Sequence, residues 1–125
     1  MKKNKSEVVL VVVAHTDDET LGCGGTIARH VRNRVKVYGV SMTDGVGARG
    51  TKDSEEIKKR AQASINASKI LGLEWLEDGS FPDNAMDTVG LLDVARVIEK
   101  AKLLTKPTIV CTHSSADLNI DHRIG

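Results

Sequence analysis

Residues able to hold a metal ion and use it fall in two short stretches at opposite ends of the chain. Near the amino terminus, "AHTDDE" sets His15 and Asp18 three residues apart with Asp17 just before Asp18; near the other end, "DLNIDHR" carries Asn119, Asp121 and His122. Two histidines, one carboxylate and an open position form a catalytic zinc arrangement, and non-haem iron accepts the same donors. Asp17, the carboxylate left beside His15, Asp18 and His122, would take the proton from a metal-bound water whose pKa the ion has lowered. The chemistry implied is metal-assisted hydrolysis.

Blander roles exist for the same residues. His15 could be a satisfied loop histidine, with Asp17, Asp18 and Glu19 stabilising the start of a helix through its dipole. The "GCGG" that follows resembles a dinucleotide-binding turn, but Gly22 and Gly24 match only its first two glycines and the third position is Ile27. A magnesium site of Asp17, Asp18 and Asp44 leaves the histidines unused. The His and Asp in the last stretch favour the hydrolase.

The elements between must bring these stretches together. "VVLVVVA" is β-branched and bounded by charge, which predicts a central strand buried on both faces. "TLGCGGTIARHVRNR" has helical spacing and turns basic at its end, and "VKVYGVSM" predicts a second strand. "TDGVGARGTKD" is a long loop, after which Asp53 with Glu56 resembles a capping box for a helix ending at Gly72. "LEWLE" predicts a short strand and "DGSFPDNAMD" a polar loop. A helix capped by Asp87 or Thr88 then runs to Pro107, "TIVCT" is another strand, and "HSSADLNIDHRIG" a closing polar loop. Strands alternating with helices predict βαβ units, and in such open sheets ligands gather beyond the carboxyl ends of the strands. The glycines at 22, 24 and 25 would permit close helix-to-sheet packing and an open cavity.

Composition narrows the classes. With 125 residues, 40% hydrophobic, and a net charge of +1, the chain fits one soluble domain with neither disorder nor a polyanion-binding surface. Tyr38, Trp75 and Phe81 are too few to form a base-stacking platform, so no nucleic-acid partner is expected. Cys23 and Cys111 stand apart, which suits small core residues in a reducing, cytoplasmic compartment. "MKKNK" and the apolar run after it imitate a secretory signal, but Ser6 and Glu7 interrupt it. No segment approaches the ~20 apolar residues of a membrane helix.

"AHTDDE" and the later "DLNIDHR" resemble the signatures of the LmbE-like, PIG-L-type deacetylases, which read AHPDDE and then a DH-containing motif after a later strand. "TDG", the Arg, Ala and LG of "RAQASINASKILG", and "FPDNAMD" resemble that family's intermediate landmarks in order. The resemblance implies a Rossmann-like three-layer α/β/α domain with a mostly parallel sheet. It also implies zinc-dependent removal of acetyl from an N-acetylated amino sugar or conjugate. By position, His15, Asp18 and His122 correspond to the metal ligands, Asp17 to the general base, and Arg60 and Asp83 to substrate-binding residues. Arg60 could otherwise be a solvated helix charge, and Asp83 an acid in a turn.

Three positions depart from the family pattern. Thr16 replaces a proline, and Ala63 a frequent glutamate. Asn119 stands where several relatives carry a histidine that stabilises the oxyanion or protonates the leaving amine. Asparagine donates a hydrogen bond but does not titrate, so Asp17 once protonated, or His113, would supply that proton. Asp121 is expected to orient a neighbour and Asp117 to pair with Arg123. Family members continue beyond this point, so residues 1–125 are expected to be the amino-terminal part of a longer domain whose open edge strand would favour self-association. A non-catalytic metal- or ligand-binding fragment is the alternative.

Overall fold

The protein is described by a computed structural model covering residues 7–15, 18–43, 54–76, 86–114, 116–117 and 119–124. Asp17, Asp44, Asp53 and Asp83 lie outside the described residues. In chain order the elements are β1 (Val8–Val13), α1 (Asp18–Arg32), β2 (Lys36–Ser41), α2 (Ser54–Leu71) and β3 (Glu74–Trp75). A 3-10 turn at Met86–Thr88, α3 (Leu91–Thr105), β4 (Ile109–Cys111) and the short α4 (Ile120–Ile124) follow.

The strands form one parallel sheet in the order β3-β2-β1-β4. β1 is central because its alternation serves two cores at once. Val9, Val11 and Val13 pack with Ile27, Val37 and Leu73 on one face, while Leu10 and Val12 pack with Val40, Met42, Met86 and Val94 on the other. The first group lies under α1 and the end of α2, the second under α3, giving the expected three layers. None of the described helices is long and apolar enough to cross a membrane.

Strand order places the site. The chain steps from β1 to β2 to β3 in one direction and then returns to lay β4 on the free side of β1, so the connections leaving β1 and β4 diverge. The crevice beyond those two carboxyl ends is where such sheets bind ligands. Ala14 forms its floor: its carbonyl accepts the Thr43 N–H at 2.9 Å and the Thr43 hydroxyl at 2.8 Å, tying the end of β1 to β2.

Several local expectations need correction. α1 begins at Asp18, so the acidic pair Asp18 and Glu19 sits within its first turn, where the dipole favours negative charge. Neither Asp87 nor Thr88 caps α3; both lie in the 3-10 turn, and Gly90 occupies the cap without a side-chain bond. The closing segment contains α4, so His122 is helical. Among the described residues, a Cβ at Gly22 or Gly25 would meet no atom within 4 Å, and one at the buried Gly24 would meet only the Thr20 methyl at 3.9 Å. Close approaches occur at Gly39, where a Cβ would stand 2.8 Å from the Trp75 ring, and at Gly72, where it would stand 2.6 Å from Val31.

Candidate metal centre

The first half of the site is a strand-to-helix turn. The Asp18 N–H donates to the His15 carbonyl at 3.2 Å, and the His15 N–H returns a bond to Asp18 Oδ2 at 3.0 Å. This reciprocal closure holds the carboxylate against the imidazole, with His15 Nδ1 at 3.3 Å from Asp18 Oδ2. Burial raises the Asp18 pKa, but the hydrogen bonds from the His15 ring and backbone, with the charges of His122 and His15, outweigh it and leave the group below the usual carboxylate range.

The second half is built by hydrogen bonds within the last segment. The Asp117 N–H donates to the Ser114 carbonyl at 3.1 Å, and Asp117 Oδ1 accepts the Asn119 N–H at 2.9 Å. Asn119 Oδ1 accepts the N–H groups of Asp121 at 2.9 Å and His122 at 3.4 Å, so Asn119 is the side-chain cap of α4. This local order turns Asp121 and His122 toward the crevice. Asp121, expected to orient a neighbour, bridges His15 Nε2 at 3.0 Å and the Met86 N–H at 2.8 Å and is fully buried.

Asp117 was expected to pair with Arg123 and instead holds His122 Nδ1 at 3.0 Å. That bond and the Asn119 N–H keep its pKa below the usual carboxylate range despite some desolvation. Its signal in the sequence was only an acid five residues before a histidine, which becomes meaningful once the loop is known to turn back.

The halves meet on one atom. Asp18 Oδ2 lies 3.3 Å from His15 Nδ1 and 3.2 Å from His122 Nε2. A carboxylate can only accept, so Asp121 fixes the proton of neutral His15 on Nε2 and Asp117 that of neutral His122 on Nδ1. A bound cation would take the remaining ring nitrogens as lone pairs beside Asp18, replacing the ring N–H bond that His15 otherwise gives the carboxylate. Tetrahedral bonds of about 2.0–2.2 Å set donors roughly 3.3–3.6 Å apart, close to these separations. The residues present therefore fit a divalent ion, and all three donor atoms lie within 4.8 Å of one another. A second group of possible donors, His113, Asp117 and His122, shares His122 with the first.

Arg60 lines a cavity of about 430 Å³ between α1 and α2 with Glu19, the residue after Asp18, and with Thr20, Leu21, Ala63, Ser64 and Ala67. Glu19, passed over in the sequence as a helix-start acid, is 1% exposed and lines the same cavity.

Residues 10–125 match the family model described as PIG-L: GlcNAc-PI de-N-acetylase. Over 80 residues the chain is 38% identical to the uncharacterized deacetylase YaiS of Escherichia coli K12, covering 64% of this chain and 40% of that protein. It is also 38% identical over 73 residues to the 1D-myo-inositol 2-acetamido-2-deoxy-alpha-D-glucopyranoside deacetylase of Mycolicibacterium smegmatis, covering 58% of this chain and 23% of that one. Among solved structures, the 4-carboxy-2-hydroxymuconate hydratase GalB of Pseudomonas putida KT2440 superposes with a TM-score of 0.80 at 25% identity, covering 94% of this chain and 52% of that chain. The chain thus spans about half or less of the length of these relatives.

Proposed function

Because the chain belongs to the PIG-L family, we propose that it carries the metal centre of a hydrolase that removes acetyl from an N-acetylated amino sugar or sugar conjugate. The observation that carries this reading is the convergence of His15 and His122 on Asp18, each ring backed by its own carboxylate. His15 Nδ1, Asp18 Oδ2 and His122 Nε2 would hold zinc or iron, which lowers the pKa of a bound water and polarises the amide carbonyl.

This chain's residues would do the rest. Asp17, adjacent in sequence to Asp18, accepts the proton of the attacking water and returns it to the departing amine, since Asn119 cannot titrate. Arg60 and Asp83 hold substrate hydroxyls or other polar groups. The Asn119 side-chain oxygen is committed to capping α4, which leaves its amide group to donate toward the substrate. Asp121 and Asp117 hold the rings that carry the ligand nitrogens. A cytoplasmic setting suits the free cysteines.

The test is amine release from N-acetylglucosamine and its conjugates by the zinc- or iron-loaded protein, beside Asp17→Asn. Release lowered about 10²–10⁴-fold in the variant, with metal content unchanged, is the expected result. A metal-loaded protein that frees no amine from any N-acetylated sugar sinks the reaction. The likeness to a hydratase supports a second use of the same centre, water addition to a carbon–carbon double bond. That reaction would release no amine.

A further inference from the structure

His113 follows β4 and has no role in the chemistry above. Its Nε2 lies 3.1 Å from the Ala14 N–H, and its ring stacks on His122 with centroids 3.8 Å apart and planes 5° from parallel. We propose that His113 is a positioning residue of the metal centre: it latches the end of β4 to the end of β1 through Nε2, and its face fixes the ring plane of His122. This role rests on the reading of His15, Asp18 and His122 as the metal ligands.

The hydrogen bond settles the tautomer. A backbone N–H can only donate, so His113 Nε2 accepts and the proton of the neutral ring sits on Nδ1. Ala14 is the right anchor, because Thr43 already holds its carbonyl from the β2 side and the residue is fully buried. With its one in-plane lone pair engaged, Nε2 cannot donate to Asp18 Oδ2, although the two atoms are 3.3 Å apart.

The stack supplies what the hydrogen bond to Asp117 lacks. That bond restrains one edge of the His122 ring but places nothing against its faces. The parallel His113 ring adds a restraint on one face and helps keep Nε2 toward Asp18. The same geometry argues against His113, Asp117 and His122 sharing an ion, since parallel rings 3.8 Å apart cannot point both in-plane lone pairs at one centre.

Two variants of the whole chain separate the two contacts. His113→Phe keeps a flat stacking face but no acceptor; His113→Gln keeps an acceptor but no ring. With Co(II) as the probe, each is expected to bind about 10-fold more weakly than wild type and to shift the visible Co(II) spectrum, as outer-sphere losses do. With an N-acetylated sugar substrate, kcat falls, KM changes little, and both limbs of the pH profile persist. Wild-type Co(II) affinity and spectrum in both variants would overturn the role, as would selective loss of the limb belonging to a proton donor. If neither variant folds, ¹⁵N NMR of the wild-type histidines decides: an unprotonated Nε2 on His113 supports the latch and a protonated one refutes it. A wild type that takes up no Co(II) sinks the ligand assignment instead, and the same NMR measurement still judges the latch.

Discussion

The two imidazoles that face Asp18 are held in contrasting ways. His15 is backed by Asp121, which is fully buried and also satisfies the Met86 N–H, so this half is tied into the core beneath α3. His122 is backed by Asp117, whose side chain is 36% exposed and whose other bonds stay within its own loop. Equivalent donor chemistry thus rests on a rigid support on one side and a solvated support on the other. Removing a buried partner leaves unsatisfied groups behind, whereas water can replace an exposed one.

Asp18→Ala removes the oxygen that both halves share and should have the largest effect, a loss of metal affinity beyond the roughly 10–100-fold typical of losing an outer partner. Metal titration followed by elemental analysis reads it directly. Asp121→Ala comes next, with affinity down about 10–100-fold and stability down about 1–3 kcal/mol as the Met86 N–H and His15 Nε2 lose this acceptor. Asp121→Asn should recover part of the stability, because its amide oxygen still accepts the Met86 N–H. Asp117→Ala should lower affinity toward the ~10-fold end with little change in melting temperature. Equal losses in the two alanine variants would break the contrast between the supports.

The smallest effect concerns acid. His113, Asp18 and Asp117 all have pKa values depressed by folding, so protonation favours the unfolded chain and the stability they contribute is present above the unfolded values. Thermal melting of the metal-free protein should therefore decline as pH falls below the ordinary histidine value of 6.5, and again below the ordinary carboxylate value of 3.8. His113→Gln should flatten the first decline. A wild type whose melting temperature is level across the histidine range would contradict a part-buried, neutral His113.

Much of this was legible in the chain. The valine run of β1 is apolar at every position because both faces are covered, and a strand-then-helix alternation leaves few other solutions. His15 and Asp18 were readable because a three-residue spacing at a strand end puts both on one turn. Asn119 was less so: its type excluded a titrating role, but its use as the cap of α4 depends on the helix that the segment forms. The Asp87 and Thr88 cap failed for a related reason, since tertiary packing placed those residues in a 3-10 turn and started α3 at Leu91, with Gly90 at its cap.

By itself, the sequence determined the parallel α/β architecture and the residue types able to hold a divalent ion, because hydrophobic periodicity and donor chemistry are properties of single residues and their near neighbours. Only the tertiary structure decided which carboxylate backs which histidine, and that His113 stacks on His122 while bonding to Ala14. Those pairings span up to 106 positions in the chain. They exist because the sheet order lays β4 against β1, a choice that no local pattern encodes.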